Sequence, residues 1–247
     1  MRTPYPPVEE NIDLLQKWFL DTFSTSTFNV NARPLPTMSG PPLHIHLAED
    51  AVEYTAHTPI PVPHYYKDEV NRQLANDVRK GIIVKVPFGV ADGWCQRMLV
   101  LPKRNGEPRR VVDFQPLNKF VKRETHLSPT PFEAVSSIPP HQFKTKSDAI
   151  DGYHQVLLDE GSQKLTTFIT ENGRYRYLRA PQGLSSSGDA YVRRYDEIIE
   201  GVERKVKIMD DALLYDGSNE DAFFHVTVNK ILHVHVVQKP HSRYQII

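Results

Sequence analysis

The chain has a single cysteine, Cys95, among 247 residues, which excludes an internal disulfide and any cysteine-based zinc cluster. It also lacks an apolar run of the roughly 18 residues that a membrane-spanning helix needs. Its N-terminus has no apolar segment of the kind found in secretory signals. These absences predict an intracellular protein, in the cytoplasm or in a nucleus-associated particle, with no membrane partner.

Net charge is also absent, because 30 Lys and Arg balance 30 Asp and Glu. This balance argues against a uniformly basic nucleic-acid coat. The charges are nonetheless uneven: residues 97–123 hold eight Lys or Arg against two acids, and residues 174–194 hold five Arg against one acid. Such basic blocks could line a groove for a polyanion or could be ordinary solvated faces, and charge alone does not decide between the two.

Hydrophobic residues make up 39% of the chain, as expected of a globular protein with a substantial core. Apolar spacing predicts a helix over 11–23, and the proline-rich stretch that follows predicts a linker, so we interpret residues 1–62 as an N-terminal helix and linker. A short strand is predicted at 43–47, with two histidines on one face but no third metal ligand at a matched spacing. A second helix is predicted over about 65–80, ended by Gly81.

Two Asn-Gly pairs predict tight β-hairpins, because Asn and Gly tolerate the positive φ angles of a type I′ turn. The first pair, Asn105-Gly106, lies between two apolar runs, and the second is Asn172-Gly173. The loop side of the first hairpin carries four basic residues, Lys103, Arg104, Arg109 and Arg110. A hairpin with such a charged tip could close over phosphates.

Two adjacent acids, Asp210 and Asp211, lie between the short apolar runs 206–209 and 212–215. This pattern predicts a hairpin with two carboxylates at its tip, although taken alone it is more simply a solvated turn. Asp148 ends another predicted strand, and if that strand lies beside the hairpin, three carboxylates converge. Carboxylates so close repel one another unless hard divalent cations are present, and two Mg²⁺ ions can activate a hydroxyl and stabilise a leaving phosphate.

Four stretches, in this order, resemble the reverse transcriptase domain, most closely that of gypsy-type long-terminal-repeat retrotransposon polyproteins. They are RRVVDFQPLN at 109–118, SDAIDGYHQ at 147–155, APQG at 180–183 and IMDD at 208–211. The last resembles the family's Tyr-X-Asp-Asp box, with Ile in the first position. Because several motifs agree, the resemblance is more specific than the paired acids alone.

The resemblance implies an α+β fold with the fingers and palm subdomains of a right-hand polymerase, in which helices back an antiparallel palm sheet. Fingers are expected over about 63–123 and 156–186, and palm over about 124–155 and 187–225. The likeness fades near residue 225. Residues 226–247 are therefore expected to be a divergent tail, and the chain a truncated fragment whose thumb is missing.

The resemblance further implies a polymerase that copies RNA or DNA, joining dNTPs to a primer 3′-OH by two-metal nucleotidyl transfer. The implied ligands of two Mg²⁺ ions, with Mn²⁺ as an alternative, are the carboxylates of Asp148, Asp210 and Asp211 and the backbone carbonyl of Ala149. The implied nucleotide contacts are Tyr153, Gln182, Arg109 and either Lys103 or Arg104.

Two alternatives stay open from the sequence: an inactive, truncated remnant of a retrotransposon, and a non-catalytic module that only binds nucleic acid. The expected partners are an RNA or DNA template with its primer, together with dNTPs. Protease, ribonuclease H and integrase domains of a polyprotein are expected as further partners and are not found in this sequence.

Overall fold

A computed structural model describes residues 4–6, 8–23, 35–91, 93–124, 126, 128–148, 151–209 and 211–228. The side chains of some of these residues are not described: Glu9, Ile12, Ser147, Asp148, Asn219, Phe223, Val226, Thr227 and Val228. Three predictions therefore lie outside the described residues, namely those for Ala149, for Asp210 and for most of the expected tail.

Seven helices and eight strands are formed within these residues. The helices are α1 Ile12–Phe23, α2 Lys67–Arg79, α3 Gln115–Asn118, α4 Pro131–Ser136, α5 Glu160–Leu165, α6 Ser185–Ile199 and α7 Asn219–Val228. The strands are β1 Ile83–Lys85, β2 Gln96–Pro102, β3 Pro108–Asp113, β4 Phe143–Asp148, β5 Phe168–Thr170, β6 Gly173–Tyr177, β7 Lys205–Ile208 and β8 Asp211–Asp216. No helix in the described part of the chain has the length and hydropathy of a membrane span.

The chain divides into two compact units, each with its own sheet. Residues 39–125 and 153–190 form the five-stranded unit, whose strand order is β1-β6-β5-β2-β3. Residues 1–38, 126–152 and 191–247 form the three-stranded unit, whose order is β4-β8-β7. All neighbouring strands are antiparallel except β2 and β5, which run parallel. The α+β class expected from the sequence is confirmed.

In the five-stranded unit, α2 contacts β1 and β3. Within this helix, Val70 and Leu74 are each 2% exposed, whereas Val78 is 42% exposed in the last turn. Gly81 follows the helix with φ of +65°, the left-handed conformation that glycine adopts at little cost. The strand predicted at 43–47 is also wrong, because only isolated bridges form there: Leu43 pairs with Leu158, and Leu47 with Val121.

The hairpin predicted at Asn105-Gly106 is confirmed, but its turn is not type I′. Pro102 pairs with Pro108, so five residues connect the strands, and only Gly106 among them has a positive φ, +82°. The Lys103 amide donates to the Glu107 carbonyl (2.8 Å) and the Gly106 amide donates to the Lys103 carbonyl (2.9 Å). This is the pattern of a type I turn followed by a left-handed glycine.

In the three-stranded unit, α7 packs on β8 and β4, and α4 contacts β7. Side chains alternate along β8, with Ala212, Leu214 and Asp216 buried and the residues between them half-buried. Ser218 caps the start of α7: the Asp221 amide donates to the Ser218 hydroxyl over 3.0 Å. One face of the sheet is thus covered by helices, and the other remains partly accessible.

Candidate active site

The pairing of β4 with β8 brings two of the predicted metal ligands opposite each other. Asp148, the last residue of β4, is the register partner of Asp211, the first residue of β8. Cα atoms paired in this way lie about 4.5–5.5 Å apart. The two residues therefore lie at one edge of the three-stranded sheet.

The β7–β8 hairpin is shifted by one residue from the prediction. Ile208 pairs with Asp211, so the two connecting residues are Met209 and Asp210 rather than the two acids. Met209 has φ of +55°, an uncommon value for a side chain of this size. Its amide donates to the Ser128 hydroxyl over 3.3 Å. Asp210, which lies outside the described residues, directly precedes in the sequence the strand residue that pairs with Asp148.

The Asp211 carboxylate is 44% exposed, and its Oδ2 lies 2.8 Å from the ammonium nitrogen of Lys146. Lys146 precedes Asp148 by two residues in β4, and residues two apart in a strand share a face. Sequence reasoning missed this lysine, because its contact with Asp211 depends on the register of β4 and β8. A cation thus already lies against one of the predicted metal ligands.

A buried lysine anchors the β7–β8 hairpin to α6. Lys207 of β7 is 7% exposed, and its ammonium lies 2.7 Å from Asp196 Oδ1 and 2.8 Å from the Val192 carbonyl, both on α6. The same ammonium stands 5.4 Å from the ring centroid of Tyr195. Burial lowers the pKa of Lys207, and the contact with Asp196 opposes that shift. These contacts fix β7, and with it the turn before Asp211, against α6.

The far end of β8 is held by a second buried polar group. The Asp216 carboxylate is 1% exposed and accepts from His225 Nδ1 of α7 at 2.9 Å and from Arg204 Nε at 2.8 Å. Residue spacing alone does not single out His225, which pins α7 to the strand that begins at Asp211.

In the five-stranded unit, the three predicted basic residues lie on the β2–β3 hairpin. Lys103 holds Glu107 at 3.0 Å, and this bond is the largest cause of a lowered pKa at Glu107. Arg104 and Arg109 are exposed. The neighbouring Arg110 instead faces α2 and pairs with Asp77 there. Strand alternation therefore leaves Arg109 on the accessible face.

Gln182 and Tyr153 also belong to the five-stranded unit. Gln182 is exposed in the loop before α6, and Gly183 follows with φ of +88°. The side chain of Asn118 clamps this loop: it donates to the Gly183 carbonyl over 2.8 Å and accepts from the Ser185 amide over 3.0 Å. Tyr153 is half-buried in a 3₁₀ turn, Gly152–Gln155. Asn118 is thus a positioning residue that sequence reasoning did not single out.

Helix α6 begins at Ser185, and Ser187 is 1% exposed inside its first turn. Among the described side chains, which exclude those of Asp148 and Asp210, no three His, Cys, Asp or Glu form a group that could hold a metal ion.

The sequence model of the family described as "Reverse transcriptase (RNA-dependent DNA polymerase)" matches residues 101–240, more than half of the chain. The chain belongs to the reverse transcriptase family. Members of this family are RNA-directed DNA polymerases, a class of nucleotidyltransferase. The resemblance found in the sequence is confirmed, and the match extends past residue 225, where the likeness had faded by motif alone.

The curated relatives are retrotransposon polyproteins. The Pol polyprotein from transposon opus of Drosophila melanogaster is 31% identical over 195 residues, which cover 73% of this chain and 19% of the polyprotein. That from transposon 412 of the same organism is 24% identical over 208 residues, 81% of this chain and 16% of the polyprotein. The transposon Tf2-3 polyprotein of Schizosaccharomyces pombe is 26% identical over 208 residues, which cover 83% of this chain and 15% of the polyprotein. The chain spans less than a fifth of each.

The solved structures that resemble this one are also reverse transcriptases. The crystal structure of a prototype foamy virus protease–reverse transcriptase superposes with a TM-score of 0.79 at 15% identity, covering 96% of this chain and 31% of that one. A foamy viral protease–reverse transcriptase in complex with an RNA/DNA hybrid superposes with a TM-score of 0.78, also at 15% identity. The superposition covers 95% of this chain and 31% of that one. At this identity the likeness concerns the fold, and it confirms the expected fingers and palm of a reverse transcriptase.

Proposed function

We propose that this reverse transcriptase domain copies RNA and DNA templates by adding dNTPs to a primer 3′-OH, with two Mg²⁺ ions as cofactors and Mn²⁺ as an alternative. The observation that carries the proposal is the register of β4 and β8, which pairs Asp148 with Asp211. Asp210 directly precedes Asp211 in the sequence. Metal ions held by these acids would suit a reaction in which negative charge builds up on phosphate oxygens.

The donors at this edge fit hard divalent cations. Carboxylate oxygens are the ligands that Mg²⁺ prefers, and the Lys146 ammonium shows that a cation is accommodated at Asp211. We assign the ligand set to Asp148, Asp210, Asp211 and the backbone carbonyl of Ala149. When bound, two such ions would favour ionisation of the attacking hydroxyl and neutralise charge on the leaving phosphate.

We assign the five-stranded unit to the fingers and the three-stranded unit to the palm. In the fingers, Arg109 and either Lys103 or Arg104 would hold the triphosphate through charge-assisted hydrogen bonds, which are stronger than neutral ones. Their exposure on the β2–β3 hairpin supports this role.

Two further side chains of the five-stranded unit would recognise the nucleotide. Tyr153 would lie under the incoming sugar and reject a 2′-hydroxyl, the group that distinguishes RNA from DNA. Gln182 would contact the nucleotide and the template strand. The clamp by Asn118 supports the role of Gln182, because it fixes the loop that presents it.

Primer extension on an RNA template, with Mg²⁺ and labelled primer, tests the proposed function. We expect extension by the wild-type chain and a loss of at least a hundredfold in Asp148→Asn and in Asp210→Asn, since each removes a ligand charge. Glu197→Gln makes the same carboxyl-to-amide change at an exposed position of α6 and should extend normally.

Absence of Mg²⁺-dependent extension by the wild-type chain would contradict the proposal. Retained binding of an RNA–DNA duplex that weakens steeply with salt, without extension, would instead indicate a module that only binds nucleic acid. The ribonuclease H, integrase and protease domains of a polyprotein are proposed as further partners, on the strength of the polyprotein relatives.

A further inference from the structure

Lys146 lies against Asp211 because of the strand register. In the β4–β8 ladder Lys146 pairs with Leu213, and Asp148 pairs with Asp211, so Lys146 and Asp211 are diagonal neighbours on one face of the sheet. Long side chains reach each other across such a diagonal. The 2.8 Å contact between the Lys146 ammonium and Oδ2 of Asp211 therefore follows from the pairing of two strands and does not depend on a loop.

We propose that Lys146 is the resident counter-ion of Asp211: its ammonium holds this carboxylate while no metal is bound, and an arriving divalent cation displaces it. The inference rests on the metal-binding role proposed above for Asp211. It assigns to Lys146 a positioning role and makes metal binding at this edge an exchange of cations rather than a simple addition.

Two physical effects support the exchange. Carboxylates close together repel one another, and a neighbouring ammonium offsets that repulsion before metal arrives. Once a divalent ion takes the same oxygen, the ammonium is repelled by it. The lysine stem is flexible and its side chain is 56% exposed, so it can swing into water without disturbing the core.

The exchange lowers metal affinity by a measurable amount. Repulsion between a unit charge and a dication about 4 Å apart in water changes the binding constant of the dication by about thirtyfold. Because the lysine can move away, the effect is smaller than this limit. We therefore expect Lys146 to weaken metal binding by about three- to thirtyfold. Salt screens the repulsion, and the difference should shrink as ionic strength rises.

Mn²⁺ binding to the whole chain, without nucleic acid and at fixed pH, tests the inference. Electron paramagnetic resonance of free Mn²⁺ gives the dissociation constant. We expect Lys146→Met and Lys146→Gln to bind Mn²⁺ about three- to thirtyfold more tightly than the wild type at low salt. Lys146→Arg, which keeps the charge, should bind as the wild type does or more weakly.

Lys144→Met is the matched control. Lys144 lies on the same strand, pairs with Tyr215 farther along β8, and donates to the Gln142 carbonyl at 3.0 Å. Its substitution removes the same charge from the same strand, away from Asp211. We expect its Mn²⁺ affinity to match that of the wild type within about twofold. A single charge about 10 Å or more away in water has only a weak effect on Mn²⁺ binding.

The outcomes separate this inference from the proposed function. Equal or weaker Mn²⁺ binding by both neutral variants overturns the role of Lys146, while loss of binding in Asp148→Asn and Asp210→Asn would leave the metal site standing. If neither the wild type nor any variant binds Mn²⁺, both proposals fall. Circular dichroism of each variant establishes that it is folded before affinities are compared.

Discussion

The buried contact between His225 and Asp216 should make α7 a strong determinant of stability. We consider His225→Ala, which removes one of the two groups that the structure shows bonded to the Asp216 carboxylate. Both side chains are nearly inaccessible, at 2% and 1% exposure. The variant therefore leaves a buried carboxylate that water reaches poorly.

The size of the effect follows from this burial. Removing one partner of a buried hydrogen bond costs about 1–3 kcal/mol, and more where the group left behind is charged. The remaining bond from Arg204, whose side chain is 50% exposed, offsets part of that cost. We expect a loss of about 3 kcal/mol, which for a chain of this size lowers Tm by about 6–12 °C.

Urea and thermal unfolding, followed by circular dichroism, measure the loss. His64→Ala is the control, because His64 is exposed and lies outside the three-stranded unit. The double variant Asp216→Leu/His225→Leu should lose less than the sum of the single changes, since no charge stays buried. A loss below about 1 kcal/mol in His225→Ala, or strict additivity, would refute the reasoning.

Two further predictions concern the hairpins. Because burial holds the pKa of Lys207 below its ordinary value of 10.5, the unfolded chain binds more protons between the two values, and the free energy of unfolding rises with pH in that window. Lys207→Met should lose this rise, so the wild type should gain stability over the variant, measured by their urea midpoints, as the pH rises toward the unfolded-state pKa of about 10.5; a difference in midpoint that stays constant with pH would contradict it. Arg109→Ala should raise KM for dNTP by about tenfold or more without lowering Tm, since it removes a charged hydrogen bond to phosphate. Arg110→Ala should do the reverse, because it breaks the half-buried pair with Asp77 and costs about 1–3 kcal/mol. If both arginine variants changed KM equally and left Tm unchanged, the assignment of their faces would be wrong.

Local patterns in the sequence were sufficient for several elements. The apolar spacing of Val70 and Leu74 and the stop at Gly81 placed α2, because helix period and left-handed glycine are local properties. The hairpins followed from their Asn-Gly pairs for the same reason. The motif at 208–211 and the acid at Asp148 indicated the family, and the family match confirmed it.

What the sequence missed depends on long-range pairing. The Lys146–Asp211 contact requires the β4–β8 register, which no local pattern specifies. The clamp of Asn118 on the loop at Gly183 joins residues far apart in the chain. The turn between β2 and β3 was misjudged because five connecting residues allow a type I turn with one left-handed glycine, so Asn105 needs no positive φ.

The parallel pairing of β2 with β5 has a consequence for how the chain acquires its structure. Gln96 must find Phe168, and the intervening chain includes residues 126–152, which belong to the three-stranded unit. The five-stranded sheet therefore cannot close on the ribosome until the first strand of the other unit has already been synthesised. Distant pairings of this kind slow folding, because the chain loses the entropy of loop closure before the stabilising contacts form. Neither unit is encoded by a contiguous stretch of the gene, because segments of the two units alternate along the chain. The two units are therefore inherited, synthesised and folded together.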